Sequence, residues 1–348
     1  MSLNFLNKLL HREPDFHEKL AALEEGRYIC THCYKDIDYQ LLTPLSMSHC
    51  PYCNDLFIVP QKLDDWWVLA PLGAGGMGAV YMARHAGNPS VQAAVKVLQA
   101  DEQNKAFLEL LINEAKVAYS FGKHHNLSQV YGYGYKSDSA YMIMAIVNGD
   151  RLDNVIARGS IDCELCLYYM HDLILALKHI YDTGYLYRDL KPENIIINGK
   201  NEAILIDYGL CMTLDEAWHY AEDDIMGSPL YMPPERVQGC GEDARADLYS
   251  LGMVIYHALK GKPYFSQTEV MKIVQSHLKT LRVQTKHKLS GIDENVQNLI
   301  DRLIRLDRDE RLNDYDVVLE HVDALLQHYN SVPTKNKVVM ERRKMMFG

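Results

Sequence analysis

Polar residues suited to handling phosphate recur along this sequence in a fixed order. The run Arg-Asp-Leu-Lys-Pro-Glu-Asn contains Asp189, Lys191 and Asn194, and Asp207 follows in an Asp-Tyr-Gly motif. An aspartate can orient a hydroxyl proton, a lysine can neutralise phosphate oxygens, and Asn and Asp oxygens suit Mg²⁺. Together these groups could transfer a phosphoryl group from a nucleotide to a hydroxyl.

A glycine-rich loop lies upstream of these residues. Gly73, Gly75 and Gly78 follow the Gly-x-Gly-x-x-Gly pattern, in which the absence of side chains lets the backbone approach phosphates. The flanking residues predict strands on both sides, so the loop does not open a helix. That placement excludes the dinucleotide-binding interpretation of the same pattern.

A lysine in an apolar strand pattern needs a charged partner. Lys96 lies in the run Ala-Ala-Val-Lys-Val-Leu, where burial of an unpaired charge would be costly. Glu114 on the following predicted helix is the expected partner, and Glu109 is the alternative. With Pro-Pro-Glu at 233–235, six motifs occur in an order that suits phosphoryl transfer from ATP.

The ordered motifs resemble those of Ser/Thr protein kinases, and the bacterial eukaryotic-like (Hanks-type) group is the most similar. The resemblance covers residues 66–330, about three quarters of the chain. It implies an α+β, bilobal protein-kinase fold, with five strands and a helix in a small lobe (66–147) and a mostly helical large lobe (148–330). It also implies ATP and Mg²⁺ as cofactors and a protein hydroxyl as the acceptor.

The resemblance places an adenine pocket in the small lobe. Val80 and Ala94 would cover the adenine, and Met144 stands at the gatekeeper position. Backbone groups of Ala145 and Val147 would bind the adenine edge. The family commonly has an acid at position 145, but backbone atoms do the binding, so this departure should matter little.

The resemblance also assigns the catalytic groups. Asp189 would accept or orient the proton of the substrate hydroxyl. Lys96 and Lys191 would neutralise the phosphates. Asn194 and Asp207 would hold Mg²⁺.

Three further positions compare with the family pattern. Glu114 precedes Ala and an apolar helix face, as the partner of the strand lysine does, whereas Glu109 does not. Tyr187 and Tyr208 stand where many relatives have His and Phe, and both changes keep an aromatic packing role.

Because every key polar residue is present, an active enzyme is favoured over a pseudokinase scaffold. Lys191 favours a protein substrate over a small-molecule one.

Residues after the Asp-Tyr-Gly motif are expected to shape the large lobe. Residues 227–229 (Gly-Ser-Pro) resemble a substrate-docking segment, in which Ser228 occupies the hydroxyl position seen in Ser/Thr kinases. Glu235 would pair with Arg311. Asp247 would anchor the backbone of the catalytic loop.

Arg188 suggests how the activation loop is ordered. An Arg before the catalytic aspartate is typical of kinases in which it pairs with a phosphorylated loop residue. Between residues 210 and 226 the only Ser or Thr is Thr213, and residues 222–224 are Glu-Asp-Asp. We hypothesise that one of these carboxylates pairs with Arg188 without phosphorylation. A solvated acidic loop is the alternative.

Four cysteines near the N-terminus have metal-ligand spacing. Cys30 and Cys33 form one Cys-x-x-Cys pair, and Cys50 and Cys53 form another after sixteen residues. Two such pairs complete the tetrahedral shell of a structural zinc ion, and a segment as short as 26–60 needs the metal to fold. The pattern predicts a zinc ribbon. Reduced or disulfide-bonded cysteines are the alternative.

The zinc ribbon is expected to dock a protein partner. Residues 26–60 contain two basic and three acidic side chains, a balance that does not support nucleic-acid binding. His32 and His49 adjoin the cysteine pairs, and we expect them beside the zinc shell rather than within it.

The remaining segments are expected to be accessory. Residues 1–25 show helical spacing and should pack on the next domain. Residues 61–65 read as a short link. Residues 331–348 carry five basic side chains and one acidic one, and predict a solvated basic tail, with contact to an acidic partner as the alternative.

The other cysteines are not predicted metal ligands. Cys163 and Cys166 also form a Cys-x-x-Cys pair, but they begin an apolar helix pattern and are interpreted as helix and core residues. Cys211, just after the Asp-Tyr-Gly motif, is a candidate reactive thiol near ATP.

Composition limits the function classes further. The chain of 348 residues has a net charge of −10, which argues against general binding to nucleic acids or anionic membranes. No apolar run is long enough to span a membrane, and the first residues do not resemble a signal peptide. Metal-type cysteine spacing and ATP use predict a reducing, cytoplasmic setting.

Overall fold

The computed structural model describes residues 14–75, 78–99, 105–219, 227–265, 267, 269–279 and 289–347. The chain divides into two compact units. One contains residues 1–112 and 130–146, and the other contains residues 113–129 and 147–348.

The first unit begins with a helix and two short hairpins. The helix starts at a capping box, in which Asp15 accepts from the Glu18 N–H and Glu18 accepts from the Asp15 N–H. The helix is α1 (Phe16–Glu24), and the antiparallel hairpins pair β1 (Arg27–Ile29) with β2 (Asp36–Asp38) and β3 (Met47–His49) with β4 (Leu56–Ile58).

An antiparallel sheet of six strands completes the first unit. The strands are β5 (Gln61–Leu63), β6 (Trp66–Gly75), β7 (Gly78–His85), β8 (Asn88–Gln99), β9 (Val130–Lys136) and β10 (Ser139–Ala145). Their order is β5-β6-β7-β8-β10-β9. The five strands expected within residues 66–147 are β6 to β10, whereas the link expected at 61–65 instead contains the added strand β5. Asp64 adopts a left-handed turn conformation (φ 49°), which lets β5 fold back and pair with β6.

Alternation along the strands separates two faces of this sheet. Trp66, Val68, Val95 and Ile143 belong to one buried cluster. Because successive side chains of a strand point to opposite faces, Lys96 lies on the face opposite to Val95. The sheet therefore has one face devoted to a core and another that carries the lysine.

The N-terminal segment shares a core with the sheet. Leu20 and Leu23 of α1 pack with Phe57 of β4 and Trp67 of β6 in a second buried cluster. Tyr28 stacks on Phe57 with ring centroids 4.3 Å apart. The cysteine-containing hairpins therefore share one buried core with α1 and β6.

The second unit is mostly helical. Its helices are α3 (Leu152–Ala157), α4 (Cys163–Asp182), α5 (Leu214–His219), α6 (Pro234–Val237), α7 (Ala244–Lys260), α8 (Val270–Lys279), α9 (Glu294–Leu303), α10 (Tyr315–Asn330) and α11 (Lys337–Phe347). The boundary between the units falls within the helix α2 (Lys105–Ser120), and residues 101–104, which include its expected N-cap, lie outside the described residues.

Short strands in the second unit carry the polar motifs. A three-stranded sheet has the order β11 (Gly149–Arg151), β13 (Ile195–Asn198), β14 (Ala203–Leu205), and β12 (Tyr185–Leu186) pairs with β15 (Met212–Thr213). The central helices α4 and α7 are buried along most of their length. Gly252 of α7 allows close packing, because a Cβ there would lie 2.6 Å from Ile304 Cγ2.

The C-terminal segment is the helix α11, so the expectation of a solvated basic tail was wrong. Arg342 donates to Asp172 of α4 at 2.7 Å, and both side chains are buried. Arg343 makes bonds of 2.6 and 2.7 Å to Glu164 of the same helix. Val339 is fully buried. Two arginines with buried acidic partners and an apolar anchor explain why this basic sequence is ordered.

Two cysteines of the second unit belong to a helix and its core. Cys163 begins α4 and Cys166 is fully buried within it, which confirms their interpretation as helix and core residues. Burial raises the pKa of the Cys211 thiol well above its ordinary value of 9.0. Because the thiolate is the reactive form, this shift argues against the reactive thiol predicted at Cys211, which stays a prediction. In the part of the chain that the structure describes, no helix has the length and apolar composition needed to cross a membrane.

Candidate active site

The catalytic loop follows β12 and is fixed by a buried aspartate. Asp247, in the first turn of α7, accepts the backbone N–H of Tyr187 at 2.9 Å and of Arg188 at 2.8 Å. Burial raises the pKa of Asp247 to about 6, although these two N–H donors oppose the shift. Arg188 has a left-handed backbone (φ 68°), which is uncommon for a residue with a side chain. The expected anchoring role of Asp247 is thus confirmed.

Three predicted site residues meet at one carboxylate. Lys191 Nζ lies 2.6 Å from Asp189 Oδ2, and Asn194 Nδ2 lies 2.8 Å from the same oxygen. Asn194 also donates to the backbone carbonyl of Asp189 at 3.0 Å. Burial raises the pKa of Asp189, while the bond and charge of Lys191 oppose the shift. The loop therefore holds an oriented carboxylate beside an ammonium group.

Asp207 lies in a tight turn after β14. Its backbone is left-handed (φ 70°), and its Oδ1 accepts the N–H of Gly209 at 3.1 Å. A Cβ on Gly209 would lie 3.9 Å from Glu114 Oε2, so the Glu114 carboxylate reaches this turn. The buried Tyr208 donates its hydroxyl to the carbonyl of Ser128 at 2.9 Å. Tyr at this position therefore packs like an apolar ring while satisfying its hydroxyl.

Tyr187 also combines packing with a satisfied hydroxyl. Its O–H donates to the carbonyl of Ile206 at 2.9 Å, and its ring contacts that of Tyr208 edge-on. The side chain is fully buried. The aromatic packing role expected for Tyr187 is therefore what the structure shows.

The small-unit residues share one face of the sheet. Strand register pairs Val80 with Lys96 and Met144 with Ala94, and Ala94 and Lys96 are two residues apart on β8. These four side chains therefore project from the same face. Ala145 is paired with Ala93 at the end of β10. Val147 belongs to the second unit.

The glycine-rich hairpin connects β6 and β7. Gly73 pairs with Val80, and Gly75 pairs with Gly78, while residues 76–77 lie outside the described residues. A Cβ on Gly73 would meet no described atom within 4 Å. Crowding within the described protein therefore does not account for glycine at position 73. The ion pair between Lys96 and Glu114 stays a prediction.

Residues after the activation loop form two sets of buried polar contacts. Arg311 makes bonds of 2.8 and 2.7 Å to the two carboxylate oxygens of Glu235, and both side chains are buried, as expected. His277 Nε2 lies 2.7 Å from the carbonyl of Pro229, and Tyr249 donates its hydroxyl to His277 Nδ1 at 2.8 Å. Burial lowers the pKa of His277 to about 4, so the ring is neutral and donates from Nε2.

Sequence reasoning missed one buried cluster beside the catalytic loop. Arg188 and Arg236 both donate to the carboxylate of Glu242. The hypothesis for Arg188 concerned the acids at 222–224, which lie outside the described residues. The Arg188–Glu242 pair has no short-range spacing signal, because it spans 54 residues.

The four predicted zinc ligands converge in the first unit. Their Sγ atoms all lie within 4.8 Å of one another, and Cys30–Cys53 and Cys33–Cys50 are each separated by 3.7 Å. None of these four cysteines forms a disulfide bond. Burial opposes ionisation of Cys50, but backbone N–H donors and the neighbouring thiols lower its pKa to about 7.

The two cysteine pairs have the same local backbone. Tyr34 donates its N–H to the Cys30 carbonyl at 3.0 Å, and Asn54 donates to the Cys50 carbonyl at 2.8 Å. Both donor residues are left-handed, with φ of 59° and 61°. His49 Nδ1 instead lies 3.2 Å from the carbonyl of Asn54, so its ring is engaged beside the cysteines, as expected.

Comparison with known proteins identifies the family. The model of the protein kinase domain matches residues 66–328, so the chain belongs to the protein kinase family. Similar proteins include the serine/threonine-protein kinase ULK3 of Xenopus laevis, 28% identical over 80% of this chain and 59% of that protein. PrkC of Bacillus subtilis is 28% identical over 67% of this chain and 36% of its own length. PknB of Mycobacterium leprae is 27% identical over 81% of this chain and 46% of its own length.

Proposed function

We propose that this chain is an ATP-dependent serine/threonine protein kinase. The observation that carries the proposal is the convergence of Lys191 and Asn194 on Asp189 Oδ2. Family membership and the serine/threonine-protein kinases among its relatives support it. The chain spans only 59%, 36% and 46% of the three relatives named above, so their whole activities are not transferred.

Each residue has a defined part in the proposed reaction. Asp189 accepts or orients the proton of the substrate hydroxyl, and its raised pKa suits a group that exchanges a proton. Lys191 and Lys96 neutralise phosphate oxygens. Mg²⁺ would supply further charge neutralisation when bound. Asn194 would present its amide oxygen, because its Nδ2 already bonds Asp189.

The first test is transfer of labelled phosphate from Mg·ATP to a basic protein. Asp189→Asn should lower the rate by about 10²–10⁴-fold, because the carboxylate that orients the hydroxyl is lost. Asp138→Asn, an exposed turn residue, serves as the matched control. ATP binding without transfer in the wild type would support a scaffold instead. Phosphate recovered on a small molecule rather than a Ser or Thr side chain would also contradict the proposal.

We infer that Cys30, Cys33, Cys50 and Cys53 hold a structural zinc ion. A tetrahedral ion with Zn–S bonds of about 2.3 Å sets its sulfurs about 3.8 Å apart. The two 3.7 Å separations fit that spacing, and disulfide bonds would need a much shorter one of about 2.05 Å. Four cysteine ligands close the shell, so the ion supports folding rather than catalysis. The segment would act as a docking or regulatory module for a protein partner.

Metal content tests this inference directly. The purified chain should contain about one zinc per molecule by elemental analysis, as one four-cysteine shell requires. A serine at any of the four positions should reduce that content. Full zinc content in such a variant would contradict the assignment.

A further inference from the structure

A buried carboxylate links the backbone of the catalytic loop to two arginines. The side chain of Glu242 is 1% exposed. Its Oε1 accepts from Arg188 Nε at 3.0 Å and from Arg188 Nη2 at 2.7 Å. Arg236 Nε lies 3.0 and 2.9 Å from the two oxygens of the same carboxylate. One acid thus engages both guanidinium groups.

The second arginine reaches the residue next to the catalytic aspartate. Arg236 Nη1 donates to the backbone carbonyl of Arg188 at 2.6 Å. A Cβ on Gly227 would lie 3.5 Å from Arg236 Nη1 and 3.7 Å from Asp189 Oδ1. Arg236 therefore lies between the catalytic loop and the start of the expected substrate-docking segment.

The backbone around Glu242 is fixed by close packing. Its N–H donates to the carbonyl of Ala217 at 2.9 Å. A side chain at Gly241 is excluded, because a Cβ there would lie 1.9 Å from the Trp218 carbonyl oxygen. Arg308 donates to the carbonyl of Gly241 at 2.8 Å. These contacts fix the backbone that presents the Glu242 carboxylate to the two arginines.

The charges of the cluster balance within the fold. Arg188 and Arg236 contribute two positive charges, and Glu242 contributes one negative charge. Asp247 supplies a second acid that accepts the backbone N–H of Arg188. Buried charges are stable only when they are paired and hydrogen-bonded, and this cluster meets that condition with side chains of the chain itself.

The described part of the activation loop offers poor surroundings for a phosphate. Thr213 lies on β15, and its hydroxyl donates to Glu216 at 2.6 Å. A phosphate on Thr213 would therefore face a carboxylate, which is a repulsive arrangement.

We propose that Glu242 is a positioning residue for phosphotransfer, which holds Arg188 and Arg236 so that the catalytic loop keeps its active arrangement without a phosphorylated activation loop. This inference rests on the kinase function proposed above. Glu242 touches no reacting atom. It acts by binding Arg188 directly, and through Arg236 it also holds the carbonyl that precedes Asp189.

The test compares charge removal at two buried acids in the full chain. Glu242→Gln should lower kcat by about tenfold or more, since small displacements of catalytic groups have effects of up to about 10²-fold. The KM for Mg·ATP should change little. Glu164→Gln is the matched control, because Glu164 is also buried and binds an arginine with both oxygens. Rates are expressed per ATP-binding molecule, which removes the effect of unfolded protein.

Two further measurements keep the test decisive. Glu242→Asp keeps the charge and should recover part of the lost kcat. Wild type freed of phosphate by a phosphatase, and checked by mass spectrometry, should transfer phosphate at an undiminished rate at the earliest time points. If Glu242→Gln does not fold, these two measurements still test the proposed role of Glu242.

The outcomes separate this inference from the function on which it rests. Equal kcat values for Glu242→Gln and Glu164→Gln would overturn the inference. A phosphate requirement in the wild type would overturn it as well, and would leave the kinase function standing. A wild type that transfers no phosphate in either state would overturn the proposed function and this inference together.

Discussion

The two ends of the described chain join the fold by different interactions. At the N-terminal end, Leu20 and Leu23 of α1 enter an apolar cluster with Phe57 and Trp67. At the C-terminal end, α11 is joined to α4 mainly through arginine–carboxylate pairs. An apolar segment at one end and a basic segment at the other are thus both ordered, each in its own unit.

This difference has energetic consequences. Burial of each leucine in α1 contributes about 1.5–3 kcal/mol, and such contributions add over the cluster. A buried ion pair has a small net value, but removal of one partner costs about 3–5 kcal/mol because the other charge remains buried. Apart from the proposed zinc ligands, the N-terminal end should therefore lose little stability when one ion pair is removed, whereas the C-terminal end should lose more.

Loss of a zinc ligand should have the largest effect on the comparison. Cys50→Ser should unfold the hairpins of residues 27–58, because structural zinc in small modules supplies about 10–16 kcal/mol of binding free energy. Protection of these residues in hydrogen exchange measures the effect. Cys240→Ser, which changes an exposed thiol, is the control. Unchanged protection in Cys50→Ser would show that apolar burial alone holds this end.

A change at the C-terminal end should have an intermediate effect on the free energy of unfolding. Arg342→Met should lower the free energy of unfolding by about 3–5 kcal/mol, because Asp172 would stay buried without its partner. Urea unfolding followed by circular dichroism checks the value. Lys344→Met changes an exposed basic residue of the same helix and should have little effect. Equal stability of the two variants would refute the sensitivity expected for this end.

The smallest effect is expected at an exposed ion pair of the N-terminal end. Glu24 lies 2.6 Å from Lys62, with side chains 42% and 37% exposed, and it also accepts from Trp67. Glu24→Gln should therefore cost at most about 1 kcal/mol at neutral pH. Lys62→Gln removes the same ion pair and provides a matched comparison.

The pH dependence of that effect has a definite sign. The bond to Lys62 lowers the pKa of Glu24 below its ordinary value of 4.5. Its stabilising contribution is then complete above pH 4.5 and disappears as the pH falls through the lowered folded-state pKa. Differential scanning calorimetry of wild type and Glu24→Gln from pH 7 to 3 measures this. A difference that persisted at the acidic end would contradict it.

Local sequence signals predicted much of the fold. The strand that carries Lys96 was predictable from its apolar run at residues 93–98. Residues in the catalytic loop were predictable because Asp189, Lys191 and Asn194 are close in sequence and meet within one loop. The paired Cys-x-x-Cys segments were recognisable for the same reason.

Local sequence signals could not predict contacts between residues that are far apart in the sequence. Arg342 and Asp172 are separated by 170 residues, so a basic C-terminus looked solvated. Glu242 showed no recognisable spacing from Arg188, because their contact depends on how α5 and the segment before α7 pack. The extra strand β5 was missed because residues 61–65 were interpreted as a short link, whereas Asp64 and Asp65 form a hairpin turn after a three-residue strand.

The tryptophans of the two units differ in exposure, so their intrinsic fluorescence should differ as well. Trp66 and Trp67 are buried in the first unit, whereas Trp218, the third tryptophan of the chain, is 50% exposed in the second. Buried indoles emit at shorter wavelengths than hydrated ones. The blue part of the intrinsic fluorescence therefore reports on the first unit, and acrylamide should quench Trp218 before the buried pair.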